Sequence, residues 1–600
     1  LKLACQPSPP VRPVRRRLPM VAAAMPAGLP AALHPGPQLA IHAPSAPVLA
    51  ARFAAANGFA SHGRGAPESG LRHGERRPNG VQVLPAAPAA AGKARAGALP
   101  GVVGGVAPPR QLADGELTAI GSRQFAVERV LGEGAYARVW GARLAQPGGQ
   151  EAAIKEMRCG KGPGILPDAS LERALLEVQA MRRLWGERDE AQGPALPAPS
   201  SPVAVPRVLD MQLWPLQPGA YLMRVAMTRC PGQPLVSWLD ARRAKFGARV
   251  RLRRGGGTTA EDVNAYCSSF LDAALAAREM LAQLAPTLER MNAGIGYHRD
   301  VNARNILVHC PLDSEAPGRE AASPGAAPAD SGCLRFSLVD FGSCIDATSW
   351  HGSGEGSWQS ENPTGDARYW GPASWFRFLG GLQAITRDAR LQRQYTRRLD
   401  IFALGACALE ALAKLHAAEP PREVLGRTPL HGALALEVDL ARAAERLSGA
   451  WAAYWAVAVS SFERLAEYSQ LVCRGEQQRA YQIWQELSAG GIPQSLLERL
   501  RELVAALAAT AACCRALGGR GSGPSPTAAA AALETLAQMV DDQSAAEWPE
   551  LLHRLGPMAA SRVAGPAAPP VRLGSVTPSV PARAGVATPP APLLAPLLGA

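Results

Sequence analysis

Residues 297–308 read YHRDVNARNILV, and residues 338–342 read LVDFG. The first run places an acid, Asp300, five residues before an amide, Asn305, between two apolar stretches. The second places another acid, Asp340, at the end of an apolar run and just ahead of Phe341 and Gly342. Two carboxylates and an amide on short loops after buried strands can hold Mg²⁺ and orient a hydroxyl, which is the equipment of phosphoryl transfer. That chemistry needs a place for a nucleotide. Upstream, residues 131–139 read LGEGAYARV; Gly132 and Gly134 lack a Cβ, so the backbone there can fold tightly over phosphates and aim N–H groups at them. Sixteen residues past Val139 comes Lys155, closing the apolar run AAIK, which predicts a strand. Residues 173–184, RALLEVQAMRRL, carry Leu176, Ala180, Met181 and Leu184 at helical spacing. Glu177 lies among them, where it could pair with Lys155.

The Gly-rich loop, Lys155, Glu177, His298-Arg299-Asp300, Asn305 and Asp340-Phe341-Gly342, in this order, resemble the signature set of the eukaryotic protein kinase superfamily. A lone Gly-rich run says little in a chain with 60 glycines, whereas six elements in one order are specific. The resemblance is clear over residues 119–415. It implies an α+β, two-lobed kinase-like fold: a small antiparallel β lobe with one helix over 119–230, and a larger α-helical lobe over 231–517. It implies ATP and Mg²⁺ as cofactors and a protein hydroxyl as acceptor. Asp300 would take the proton of the attacking hydroxyl or orient it, Asn305 and Asp340 would hold Mg²⁺, and Lys155, held by Glu177, would reach the α- and β-phosphates. Leu131, Gly132, Glu133 and Gly134 would cover the nucleotide, with Val139 and Ala153 sandwiching the adenine. Residues 221–230 would run into the hinge, with Met227 as gatekeeper and Thr228, Arg229 and Cys230 beside the adenine. Met181, His298 and Phe341 would form an internal column, and Asp400 would brace the backbone around His298. Arg299 could pair with a phosphate on the segment 343–364, which offers Ser343, Thr348, Ser349, Ser353, Ser357, Ser360 and Thr364.

The sequence departs from the family at four places. Ala137 stands for the third glycine of the loop. Asn302 stands where Ser/Thr-directed members carry Lys, and in GDARYWGPA, residues 365–373, Asp366 replaces the usual Thr and Ala373 the usual Glu. The Asn302 and Asp366 changes together remove a cation and add an anion near the transferring phosphate. Arg304, at a position where tyrosine-directed members place Arg, offers a positive charge back, and Arg368 is a second source. The reading is a rearranged substrate site with Ser/Thr acceptors, Tyr remaining open. A pseudokinase scaffold binding protein partners and a small-molecule phosphotransferase of kinase-like fold are the alternatives.

Composition separates the catalytic region from its flanks. Residues 1–118 hold 13 Lys/Arg against four Asp/Glu in long Pro/Ala/Gly tracts, and no acid precedes Glu68. Such a stretch cannot bury enough apolar surface to offset chain entropy, so it reads as a disordered basic arm. Its Arg-rich, acid-free start also resembles an organelle transit peptide, and the chain opens on Leu, which fits a missing true N-terminus. Most of the net charge of +13 sits in this arm and says little about the region that follows; nucleic acid is not the expected partner, the run Arg15-Arg16-Arg17 being the one sharp feature that would favour it. Basic, Gly-rich residues in 241–262 and Ser/Ala/Pro-rich residues 311–333 read as loop insertions. Residues 518–600 read as a mostly disordered tail with a helix over 527–555. Eleven scattered cysteines without a CxxC pair suggest reduced thiols in an intracellular, cytoplasmic protein. The apolar stretch at 451–461 is too short to span a membrane.

Overall fold

Alternating and continuous apolar runs between residues 117 and 228 build a six-stranded sheet. Its strands are β1 (Leu117–Ile120), β2 (Arg123–Glu133), β3 (Ala137–Leu144), β4 (Glu151–Gly160), β5 (Val208–Gln217) and β6 (Ala220–Thr228). The order is β1-β2-β3-β4-β6-β5, and every pairing is antiparallel. β4 lies inside the sheet with Ala152, Ala153, Ile154 and Lys155 all buried, which explains its unbroken apolar run. The outer strands approach one another. The backbone N–H of Ser122 donates to Asp210 Oδ2 at 2.9 Å, that of Gly121 to Gln212 Oε1 at 3.1 Å, and Arg224 Nη1 to Thr118 Oγ1 at 3.3 Å. The sheet therefore curls, and hydrogen bonds from the β1–β2 turn and from Arg224 bridge the gap between its outer strands. Gly121 makes the approach feasible: its φ is +57°, and a Cβ there would meet Asp210 Oδ1 at 2.1 Å.

The computed structural model describes residues 110–134, 137–160, 170–187, 203–242, 260–310, 334–354, 356–416, 433–519 and 524–556. All of these belong to one unit, Ser45–Ala600. Helix α1 (Leu171–Leu184) starts at Ser170, whose hydroxyl accepts from the N–H of Arg173, and buries Ala174, Glu177, Val178, Met181 and Leu184 at helical spacing. α2 (Ala260–Asn292) carries a buried stripe through Phe270, Ala274, Ala277, Leu281, Leu284, Leu288 and Met291. Two short sheets follow: β7 (Gln233–Pro234), β9 (Ile306–His309) and β10 (Arg335–Leu338) form one, β8 (Gly296–Tyr297) and β11 (Ile345–Asp346) the other. They set the loops between them at fixed places. Helices α3 (Ala347–His351), α4 (Pro372–Thr386), α5 (Ala389–Arg397), α6 (Leu399–Leu415), α7 (Ala433–Cys473), α8 (Gln477–Ala489) and α9 (Ile492–Gly518) complete the expected helical region. α6 is buried on every side from Asp400 to Leu412. One apolar core runs from β4 and β6 through α1 and α2 into the later helices. The molecule is thus mixed α+β with an antiparallel sheet.

Three expected boundaries need correction. The folded region begins ahead of residue 119: Leu112 is buried, β1 opens at Leu117, and Arg224 donates to the carbonyl of Arg110. It does not stop at 517. Residues 524–555 form two helices, α10 (Pro524–Val540) and α11 (Trp548–Leu555), where one was expected inside a tail. Leu533 and Leu536 are fully buried, and Val540 and Met539 come so close to Gly405 of α6 that a Cβ there would meet them at 3.0 and 3.1 Å. The break between the helices is an Asp turn, in which the N–H of Gln543 donates to Asp541 Oδ1 at 2.9 Å. The insertion expected over 241–262 gives way to α2 at Ala260; its residues 243–259, the insertion 311–333, and the arms 1–109 and 557–600 lie outside the described residues. Among the described residues no helix is long and apolar enough to cross a membrane, and the cysteines are free.

Candidate active site

A cavity of about 510 Å³ opens between the sheet and the loops around Asp300 and Asp340. Leu131, Gly132, Glu133, Gly134, Val139, Ala153, Met227, Thr228 and Cys230 line one part of it. Lys155, Glu177, Asp300, Arg304, Asn305 and Asp340 line the other. Strand pairing accounts for the roof: Val139 lies opposite Lys155, and Ala153 opposite Met227. A Cβ on Gly132 would meet nothing within 4 Å, so the backbone there faces open space. The loop tip, residues 135 and 136, lies outside the described residues.

Lys155 is the electrostatic centre. Its Nζ donates to Glu177 Oε1 at 2.5 Å and to Asp340 Oδ1 at 2.9 Å. Burial opposes its charge, but the carboxylates of Asp340 and Glu177 outweigh it and hold the ammonium above its ordinary pKa. Lys155 in turn pulls Asp340 below the usual carboxylate range, while burial pushes Glu177 up. The Glu177 side chain is 4% exposed and that of Asp340 53%, so Asp340 keeps an open carboxylate facing the cavity.

The loop 298–305 is folded on itself. Asn302 Oδ1 accepts from the N–H groups of Arg304 and Asn305, and its Nδ2 donates to Asp300 Oδ1 at 2.7 Å. Asn305 Nδ2 donates to the Asp300 carbonyl at 2.9 Å and to Oδ2 at 3.1 Å, which turns its amide oxygen away from Asp300. Asp300 and Asn305 are thereby locked as a pair. Arg299 (φ 65°) and Asp340 (φ 64°) are the non-glycine residues with left-handed backbone among those described. Such strain persists only where neighbours over-determine it. Asp400 does so for Arg299: its two oxygens accept from the N–H groups of His298 and Arg299, each at 2.9 Å. The rings of His298 and Phe341 meet edge to face at 4.9 Å, and Met181 is buried in the core with Phe341.

The departures from the family pattern resolve into contacts. Asp366 is buried and its carboxylate is paired with Arg368, so the extra anion is neutralised locally and Arg368 is committed to it. The N–H of Asp366 donates to Asp300 Oδ1 at 3.0 Å. Asn302 supplies a hydrogen bond to Asp300 where a cation was missing. Ala373, where the resemblance would place Glu, belongs to an apolar cluster with Tyr297, Ile345, Trp350, Trp358 and Tyr395. Arg299 faces a carboxylate: Nη1 and Nη2 both lie 3.2 Å from Glu361 Oε2.

Sequence reasoning missed several lining residues. Leu307 and Val339 reach the cavity from either side of the Asp300–Asp340 loops. Leu307 could have been found from its place on β9, where it is half-buried between the buried Ile306 and Val308. Glu361 and the contacts that brace Asp400 from below carried no local signal.

No protein-family model and no curated protein matches the chain. Among solved structures it is similar to the BubR1 kinase domain, at a TM-score of 0.27 and 13% identity, over 52% of this chain and 68% of that one.

Proposed function

We propose that the chain is a two-lobed protein kinase that transfers the γ-phosphate of ATP to a protein hydroxyl in a Mg²⁺-dependent reaction. The observation that carries this reading is Lys155, bonded at once to Glu177 and Asp340 in a cavity that Asp300 and Asn305 also line. The curled sheet would be the smaller lobe and the helices the larger, with the nucleotide between them. The donor set suits Mg²⁺: an open carboxylate on Asp340 and an amide oxygen on Asn305 are hard ligands. Among the described residues no three His, Cys, Asp or Glu side chains cluster to hold a metal, so the ion would share its coordination with phosphates. Bound there, Mg²⁺ would neutralise charge on the transferring group. Lys155 would orient the α- and β-phosphates, and Asp300 would accept a hydrogen bond from the acceptor hydroxyl. Arg304, on the cavity wall, would supply positive charge near the acceptor.

The test is incorporation of phosphate from Mg²⁺-ATP by the purified full chain. Asp340→Ala should lower it by roughly a hundredfold or more, the scale of losing one electrostatic partner of the reacting group. Equal incorporation by both proteins would remove the assignment. Phosphoamino-acid analysis of the product separates Ser/Thr from Tyr acceptors, and transfer to a metabolite but no peptide would favour a small-molecule phosphotransferase.

A further inference from the structure

The brace on the catalytic loop does not end at Asp400. Its Oδ2 also accepts from Asn292 Nδ2 at 3.0 Å, and that same nitrogen donates to the carbonyl of Gly296, at the entry to the loop. The amide oxygen of Asn292 accepts from the indole N–H of Trp548 at 2.7 Å. Both ends of the Asn292 amide are therefore committed, and turning it would break three hydrogen bonds. Trp548 is buried and opens α11, in the segment that composition alone assigned to a tail.

A second set of contacts ties the same segment to the same place. Arg398, two residues before Asp400, is fully buried. Its Nη2 donates to the carbonyl of Gln538 at 2.5 Å, and its Nη1 to that of Ser544. These carbonyls belong to the end of α10 and the turn that follows it. The start of α6 is thus gripped by the catalytic loop on one side and by residues 538–548 on the other.

We infer that Trp548 and Asn292 are positioning residues for the catalytic loop: the C-terminal helices hold Asp400, and through it the strained Arg299 backbone, in working geometry. The inference rests on the kinase reading for its catalytic consequence and on geometry alone for its structural one.

Trp548→Phe keeps an aromatic side chain and removes the indole N–H together with some buried volume, so its effect is read beside that of Asn292→Ala. With one neutral hydrogen bond lost, kcat for phosphate transfer should fall roughly fivefold, with KM for ATP unchanged. Amide hydrogen exchange at His298 and Arg299 should quicken. Asn292→Ala should act in the same direction with the indole in place, which covers failure of the first variant to fold. The double variant should be no worse than Asn292→Ala alone, because the two residues act in one chain. Glu547→Gln removes an exposed ion pair of the same segment, Glu547 with Arg397, and should leave both readouts unchanged. Unchanged kcat and unchanged exchange at His298 and Arg299 in both relay variants would overturn the inference while leaving the kinase reading intact. If the native chain transfers no phosphate, the kinase reading fails, and the exchange measurement alone decides whether the relay holds the loop.

Discussion

Asp300 carries its carboxylate in a place that resists charge. Burial is the largest cause, the Asp340 carboxylate adds to it, and together they outweigh the hydrogen bonds from the Asp366 N–H and Asn302, leaving the pKa pushed up to about 8. The ordinary value is 3.8, so the folded state binds this proton more tightly than the unfolded chain does. The stabilisation is therefore complete below about pH 4 and is lost as pH rises through about 8. Asp300→Asn stays neutral throughout. Its amide faces donors from Asn302 and Asn305, a cost that does not change with pH. We expect the variant to be inactive, and its Tm relative to the native protein to rise by roughly a few degrees between pH 5 and pH 8.5 in metal-free buffer. A flat difference across that range, read by scanning calorimetry, would show that Asp300 is ionised in the fold at neutral pH.

The segment from Asp340 to Asp366 is held as an element by Glu361. That carboxylate meets Arg299 of the 298–305 loop at 3.2 Å and Arg173 of α1 at 3.8 Å, and α1 also carries Glu177. The Glu361 carbonyl accepts from Tyr395 Oη and Arg377 Nη2, each at 3.1 Å. A phosphate was one anion that could stand opposite Arg299; here a permanent carboxylate takes that place. Ser357, one of the hydroxyls that segment offers, is buried and donates to the carbonyl of Gly354. Glu361→Ala leaves a nearly buried guanidinium without its anion, so transfer should fall about tenfold or more, in line with the cost of an unpaired buried charge. Phosphatase treatment of the native chain should leave its rate unchanged, and a rate that collapses on dephosphorylation would refute this account. The difference between these anions shows what was legible at this scale. Lys155, Glu177, Asp300, Asn305 and Asp340 were readable because each sits in a short run whose neighbours announce it. Glu361 was not, because its partners Arg173 and Arg299 are remote in sequence and its own neighbours, Ser360, Asn362 and Pro363, read as loop.

At the scale of the molecule, the limits of the folded region were the least legible feature. Residues 524–555 contain the run AAAAALETLAQMV, which reads as a helix but, with few large side chains, did not read as part of the core. Physically the small residues are the means of packing: Ala529, Ala530 and Ala532 are buried and let α10 lie close to its neighbours. Leu533, Leu536 and Val540 fall at helical spacing and were the signal to weigh against composition. α10 and α11 belong to the same apolar core as β4, β6, α1 and α2, so they should share its fate on unfolding. Leu533→Ala should destabilise the whole protein by about 2–5 kcal/mol, the range for a fully buried leucine. Its denaturation should remain a single transition when followed both by tryptophan fluorescence and by far-ultraviolet circular dichroism. Ending the chain at residue 519 goes further. It deprives the buried Arg398 guanidinium of the Gln538 and Ser544 carbonyls, and it bares the face of α6 at Gly405. The apolar core residues that α10 and α11 cover would then meet water, a loss of several kcal/mol that is a large share of a typical folding free energy. The truncated chain should therefore be insoluble, or should melt well below the native protein. A soluble product with a native Tm would mean that residues 524–555 are an appendage and not part of the core.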